Sequence, residues 1–166
     1  MSPAFNAEEI LEVAVQIERT GAAYYRRAAS FAKDPVAKNM FTELADMEDG
    51  HEIFFENLRA DPETLSELLG DPEGEAALYL RAFADGQVFP MESDVASELE
   101  PDLDIDEVLR QGITMELKSI AFYQGIKDAL TTSINNEKLN RIILEERKHV
   151  TSLSRLLAGR RARRTS

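Results

Sequence analysis

Apolar residues recur in this chain at alternating intervals of three and four over long stretches, and that period decides what it can fold into. Ile10, Ala14, Ile17, Gly21, Tyr24, Ala28 and Phe31 follow one another at 4, 3, 4, 3, 4 and 3, the stripe of a helix with one buried face. Alternating runs of β-branched residues, the mark of half-buried strands, are absent. The spacing predicts a first helix over about 7–31. Asp34-Pro35 supplies a cap followed by proline at the first helical position, opening a second helix to about Ala60, where Asp61-Pro62 ends it. A third runs from about Asp104 to Leu130. Turn and cap residues at 131–136 then precede a fourth, ending near Leu157. Helices of some 22 to 26 residues are about 33 to 39 Å long, and those joined by short turns pack antiparallel. The expected fold is all-α: a four-helix bundle of two antiparallel helical hairpins joined by a long crossover connection.

That connection, about 61–104, is acidic and broken by Pro62, Gly70, Pro72, Gly74, Gly86, Pro90 and Pro101, with short helical pieces expected near Glu75–Ala84 and Ser93–Glu100. From Asp61 to Glu107 there are 15 acids and one base, Arg81, so this stretch holds −14 of the net −12 and the remainder is slightly basic. After Glu146 no acid occurs, and Arg155, Arg160, Arg161, Arg163 and Arg164 form a basic end, read here as a solvated complement to a helix C-terminus. The division that follows is a bundle over 1–158 and a basic tail over 159–166. At 166 residues and 43% hydrophobic, one domain with a buried core is expected. The acidic balance argues against nucleic acid as a partner. No apolar run exceeds about five residues, far short of the roughly 20 of a membrane span or the 7 to 15 of a signal-peptide core; a cytoplasmic location is expected. With no cysteine, thiolate zinc sites, iron–sulfur clusters and thiol nucleophiles are excluded, and any metal must be held by carboxylates and the two histidines.

Both histidines fall in one recurring pattern. In the second helix Phe41, Leu44, Glu48, His51, Phe55 and Leu58 are spaced 3, 4, 3, 4, 3, and in the fourth Ile142, Glu146, His149, Leu153 and Leu156 are spaced 4, 3, 4, 3. Each apolar stripe is thus interrupted by Glu-x-x-His. Residues three apart share a helix face, so the two side chains can reach one cavity. The other two helices each offer one matching carboxylate, Glu18 and Glu116. A shift of 98 maps Glu18 on Glu116, Glu48 on Glu146 and His51 on His149, and also superposes Ala23 on Ala121 and Tyr25 on Tyr123. The chain is an internal repeat. Carboxylates buried in such stripes cost several kcal/mol each without a counter-charge. Four glutamates and two divalent ions balance, so two metals are expected on Glu18, Glu48, His51, Glu116, Glu146 and His149, with Glu48 and Glu146 bridging. Open positions on a carboxylate-rich set suit iron; manganese and zinc fit the same donors. Tyr25 and Tyr123 are read as core aromatics that could each reach back to the glutamate seven residues earlier on its own helix. Glu52 and Glu145 lie off the stripe and are read as solvated, and Met40, Met47 and Met115 as packing residues.

One glutamate from each of two helices plus Glu-x-x-His from each of the other two resembles the ferritin-like dimetal carboxylate bundles. Within them, Ile113-Thr-Met-Glu116-Leu-Lys-Ser-Ile-Ala-Phe-Tyr123 and Leu144-Glu-Glu146-Arg-Lys-His149 resemble the third and fourth helices of rubrerythrins. The resemblance covers the four helices and not the acidic connection. It implies a di-iron oxidoreductase acting on peroxide or dioxygen in oxidative stress, and a homodimer, for which Phe54, Tyr24 and Phe122 offer outer apolar positions. Rubrerythrins also carry a cysteine-ligated rubredoxin iron; lacking cysteine, this chain would take electrons from a separate donor such as a rubredoxin-like protein. They have a further carboxylate one turn after the third-helix glutamate, associated with peroxidase chemistry, where this chain has Ser119. Two alternatives stand beside this reading: a ferroxidase or iron-handling protein using the same centre, and a metal-free helical interaction protein.

Overall fold

The computed structural model describes residues 7–68, 74–84, 96–102, 104–130 and 133–164. They form six helices: α1 (Ala7–Phe31), α2 (Pro35–Arg59), α3 (Pro62–Leu68), α4 (Glu75–Ala82), α5 (Ile105–Ala129) and α6 (Ser133–Arg164). No strand occurs among the described residues. The starts are set by caps where the sequence placed them: Asp34 accepts from the Val36 amide at 3.0 Å with Pro35 behind it, and Asp104 accepts from the Asp106 amide at 3.1 Å.

Cross-helix pairs fix the directions. Arg59 reaches Glu12 and Arg19 reaches Glu52 and Glu56, so α1 and α2 run antiparallel. Lys127 bonds Asn140 while Arg160 bonds Asp106, so α5 and α6 do too. Between the hairpins, Tyr24 donates to the Val108 carbonyl at 2.7 Å and Tyr123 donates to Glu18, making α1 antiparallel to α5. The crossover places α4 against α5, with the Tyr79 hydroxyl on the Ala121 carbonyl at 3.1 Å.

Two apolar clusters fill the bundle, one at each end. The first takes Leu11, Val15, Phe55, Phe122, Ile126 and Ile143; the second takes Tyr24, Phe41, Leu44, Leu109 and Leu153. On every long helix the changeover falls at a buried polar residue: Glu18, Glu48 with His51, Glu116, or Glu146 with His149. The bundle is therefore a sandwich of two greasy halves around one ionisable layer.

Several expectations shift. Asp61-Pro62 ends α2 but also starts α3, because the Asp61 carboxylate accepts from the Glu63 amide and the Thr64 hydroxyl. The fourth helix begins at Ser133 and continues to Arg164. Its basic end is anchored, since Arg160 and Arg164 both hold the buried Asp106 carboxylate, at 2.7 and 3.0 Å. Tyr24 and Phe122 are not outer residues; both are fully buried, Tyr24 against α5 and Phe122 beneath Phe83 at the end of α4, with ring centroids 5.5 Å apart. Of the expected piece near Ser93–Glu100, residues 96–98 form a turn, and 93–95 lie outside the described residues.

Candidate metal centre

All six expected ligands lie in the polar layer, and none is more than 4% exposed. Each comes from mid-helix, where the backbone is rigid and its own hydrogen bonds are satisfied, so the side chains are placed by the bundle alone. Ligand atoms of Glu18, Glu48, His51 and Glu146 all fall within 4.8 Å of one another, and so do those of Glu48, Glu116, Glu146 and His149. The two groups share Glu48 and Glu146. The His51 and His149 rings stack at 5.8 Å and 21°, related by the same pseudo-twofold that the 98-residue shift expresses. Gly21 keeps the layer compact: a β-carbon there would meet Glu48 Cγ and Cδ at 3.4 Å.

The histidines turn Nδ1 inward. His51 Nδ1 lies 2.8 Å from Glu146 Oε1 and 3.5 Å from both Glu18 Oε2 and Glu48 Oε2; His149 Nδ1 lies 3.1, 3.5 and 3.6 Å from Glu146, Glu48 and Glu116. Yet Glu18 Oε2, His51 Nδ1 and Glu146 Oε1 are buried without an aligned hydrogen bond. His149 Nδ1 bonds Glu146 Oε2, but these three inward atoms converge without bonding one another, an arrangement that fits a cation between them.

Protonation follows from the crowding. Burial first, then the charge of Glu48, holds Glu18 and Glu116 well above the usual carboxylate range. Burial also pushes on Glu48 and Glu146, but the adjoining imidazoles and the facing Glu18 and Glu116 carboxyls outweigh it and leave both below that range. Burial disfavours charge on the histidines too, and is overcome by the carboxylates: His51 is raised strongly and His149 is pushed up to about 12. Without metal the layer thus favours protons on both imidazoles and on Glu18 and Glu116, and charge on Glu48 and Glu146.

The tyrosines hold the outer glutamates, but across the bundle. Tyr25 donates to Glu116 and Tyr123 to Glu18, not to the glutamate earlier on the same helix. Seven residues rise about 10 Å, beyond a phenol's reach, whereas the antiparallel neighbour brings the other half's glutamate level with the ring. Gly112 allows the approach, its missing β-carbon being 3.3 Å from the Tyr25 hydroxyl. Ser119 is buried and donates to the Met115 carbonyl at 3.0 Å, adding no carboxylate to the layer. Glu52 pairs with Arg19 at the surface. Glu145 is the residue that the stripe argument misses: its Oε2 lies 2.9 Å from His51 Nε2. Met40 and Met115 pack on the second cluster, but Met47 is 38% exposed.

A family model described as Rubrerythrin matches residues 9–157. The chain belongs to the rubrerythrin family. Among solved structures it is similar to one described as a ferritin-like diiron-carboxylate protein from Thermotoga maritima, with 27% identity and a TM-score of 0.73 over 93% of this chain and 96% of that one. No curated protein matches significantly. This rubrerythrin-family chain has an all-α, ferritin-like bundle and a buried Glu/His cluster suited to two metal ions. No rubredoxin domain is evident, and no helix among the described residues is long and apolar enough to cross a membrane.

Proposed function

We propose that this chain is a di-iron oxidoreductase acting on hydrogen peroxide or dioxygen, with Glu18 and His51 holding one ion, Glu116 and His149 the other, and Glu48 and Glu146 bridging them. The observation that carries the reading is the pair of overlapping four-residue donor groups sharing those two glutamates. Four carboxylates balance two divalent cations, which removes the cost of burying them. Two ferrous ions supply one electron each, matching the reduction of one hydrogen peroxide with two protons to two waters. The protein's part is to position and to insulate. Tyr25 and Tyr123 fix the outer carboxylates by donating to one oxygen of each; on Glu18 the other oxygen, Oε2, stays unpartnered and would be free to hold an ion. The two apolar clusters exclude water from above and below, strengthening every charge interaction in the layer. Electrons arrive from a separate donor such as a rubredoxin-like protein, since the chain has no cysteine.

A second reading, ferroxidase or iron-handling chemistry at the same centre, is favoured by Ser119, which bonds its own helix where a further carboxylate would stand. Anaerobic loading with Fe(II), elemental analysis and stopped-flow addition of oxidant separate the two. Two irons per chain, oxidised faster by peroxide than by dioxygen, is the expected result. Faster oxidation by dioxygen, with iron retained far above two per chain, selects the second reading. Fewer than two irons overturns the centre itself.

A further inference from the structure

The two halves of the repeat match at every ligand, yet they differ one residue before the Glu-x-x-His glutamate. In α6 that residue is Glu145; in α2 the 98-residue shift places Met47 there. The consequence is visible at the far side of each imidazole. His51 Nε2 meets the Glu145 carboxylate at 2.9 Å, whereas His149 Nε2 is buried with no hydrogen-bond partner. We infer that Glu145 is a positioning residue that makes the two metal sites unequal, so that the site containing His51 fills first and the site containing His149 second.

This inequality presupposes the proposed metal centre and follows from the geometry around the two rings. A carboxylate accepting the Nε2 proton fixes the ring so that Nδ1 presents its lone pair to the cation, and it raises the basicity of that lone pair; partners of this kind are worth about 10- to 100-fold in metal affinity. His149 has the same inward Nδ1 but no such anchor. Its ring is held by packing and by the inward contact of Nδ1 with Glu146 Oε2 at 3.1 Å, which a cation would take over, and its buried Nε2–H has no acceptor to share the positive charge drawn onto the ring by a cation. A thioether cannot substitute, being a weak acceptor, and Met47 points part of its surface to solvent. Because the Glu145 side chain is 42% exposed, it can be truncated without opening the core.

The test uses Zn(II), which is diamagnetic, and a chain labelled with ¹⁵N-histidine, which carries only two labelled residues. In the unaltered protein the first equivalent of Zn(II) should shift the His51 ring and the second the His149 ring, with separate dissociation constants by calorimetry. Glu145→Ala should weaken the first step by about 10- to 100-fold and abolish the order, with Glu145→Asp restoring part of it. Met47→Glu should strengthen the second step and bring the two together. Both rings shifting together in the unaltered protein, or an order untouched by Glu145→Ala, overturns the inference while leaving the two-metal reading intact. Binding of fewer than two Zn(II) overturns that reading and this one with it. Losing this half-exposed hydrogen bond should lower the melting temperature of the metal-free Glu145→Ala chain slightly; the order of filling is the deciding readout, because a merely structural role would leave it in place.

Discussion

The two tyrosines show what a single polar atom does inside the bundle. Tyr25 and Tyr123 are fully buried, and burial followed by the charge of the glutamates they face raises both phenols well above their ordinary range, so they act only as donors. Tyr25→Phe keeps the ring, its stack on Phe41 at 6.2 Å and the contact with Gly112, and removes only the hydroxyl. Losing a buried hydrogen bond to an acidic partner costs about 1 to 3 kcal/mol, and a chain of this size loses roughly 2 to 4 °C of Tm per kcal/mol. Thermal unfolding of metal-free Tyr25→Phe and Tyr123→Phe should show losses in that range and of similar size, because the pseudo-twofold makes the two contacts equivalent. An unchanged Tm in either would mean that its phenol does not hold the opposing glutamate. Residue spacing was enough to bring the six proposed ligands and the two tyrosines to one layer, since a helix face is a local property. It could not say which glutamate each phenol meets, because that depends on the direction of the neighbouring helix, nor that Glu145 reaches past its own stripe to His51.

At the scale of the element, the long helices were legible because apolar period and capping agree at Asp34-Pro35 and at Asp104. The ends of α6 were less so. Asn and Thr between 131 and 136 read as a turn, yet Asn136 Nδ2 bonds the Leu130 carbonyl at 2.8 Å and stabilises an earlier start, while Arg160 and Arg164 extend the far end because Asp106, the second residue of α5, is buried beside them. The crossover was the least legible, since its acidic, proline-broken composition says nothing about where it docks. Gly125 decides that. A β-carbon at this position would lie 2.7 Å from two carbons of the Tyr79 ring and 3.0 Å from Leu80 Cδ2, so α4 sits on α5 only because the side chain is missing. Gly125→Ala must displace the Tyr79 ring and crowd Leu80, which should loosen the seat of α4 on α5. Overpacking of this kind costs about 1 to 3 kcal/mol, offset in part by alanine's better helix propensity. Hydrogen exchange should show faster exchange in α4 than in the unaltered chain, with the centres of α1 and α2 protected as before. Equal protection of α4 in both proteins would mean that α4 does not depend on this contact.

For the whole molecule, protons and metals compete for the same layer, and the sign of that competition can be stated. Glu18, Glu116, His51 and His149 all bind protons more tightly in the metal-free fold than in an unfolded chain. Their contribution to stability is complete below their ordinary values, 4.5 for the glutamates and 6.5 for the histidines, and is lost as pH rises through the folded ones, which for His149 means from 6.5 towards about 12. Glu48 and Glu146 are shifted the other way, so their contribution is present above 4.5 and is lost only as pH falls below it. Between pH 7 and 9 the metal-free protein should therefore become less stable as pH rises. Metal ions need the inward carboxylates and imidazoles deprotonated, so binding expels those protons and strengthens over the same interval. Because a ligand of the folded state raises its stability in proportion to the logarithm of its occupancy, the gap in Tm between loaded and metal-free protein should widen from pH 7 to pH 9. Calorimetry in buffers of different ionisation enthalpy should show protons released as two Zn(II) bind near pH 7, with His51 and His149 each giving up the proton that the neighbouring carboxylates hold on the ring. A count near zero, with a Tm gap independent of pH, would mean that the metal-free layer is already ionised as the cations require, and the proton-sharing description of the centre would have to be abandoned.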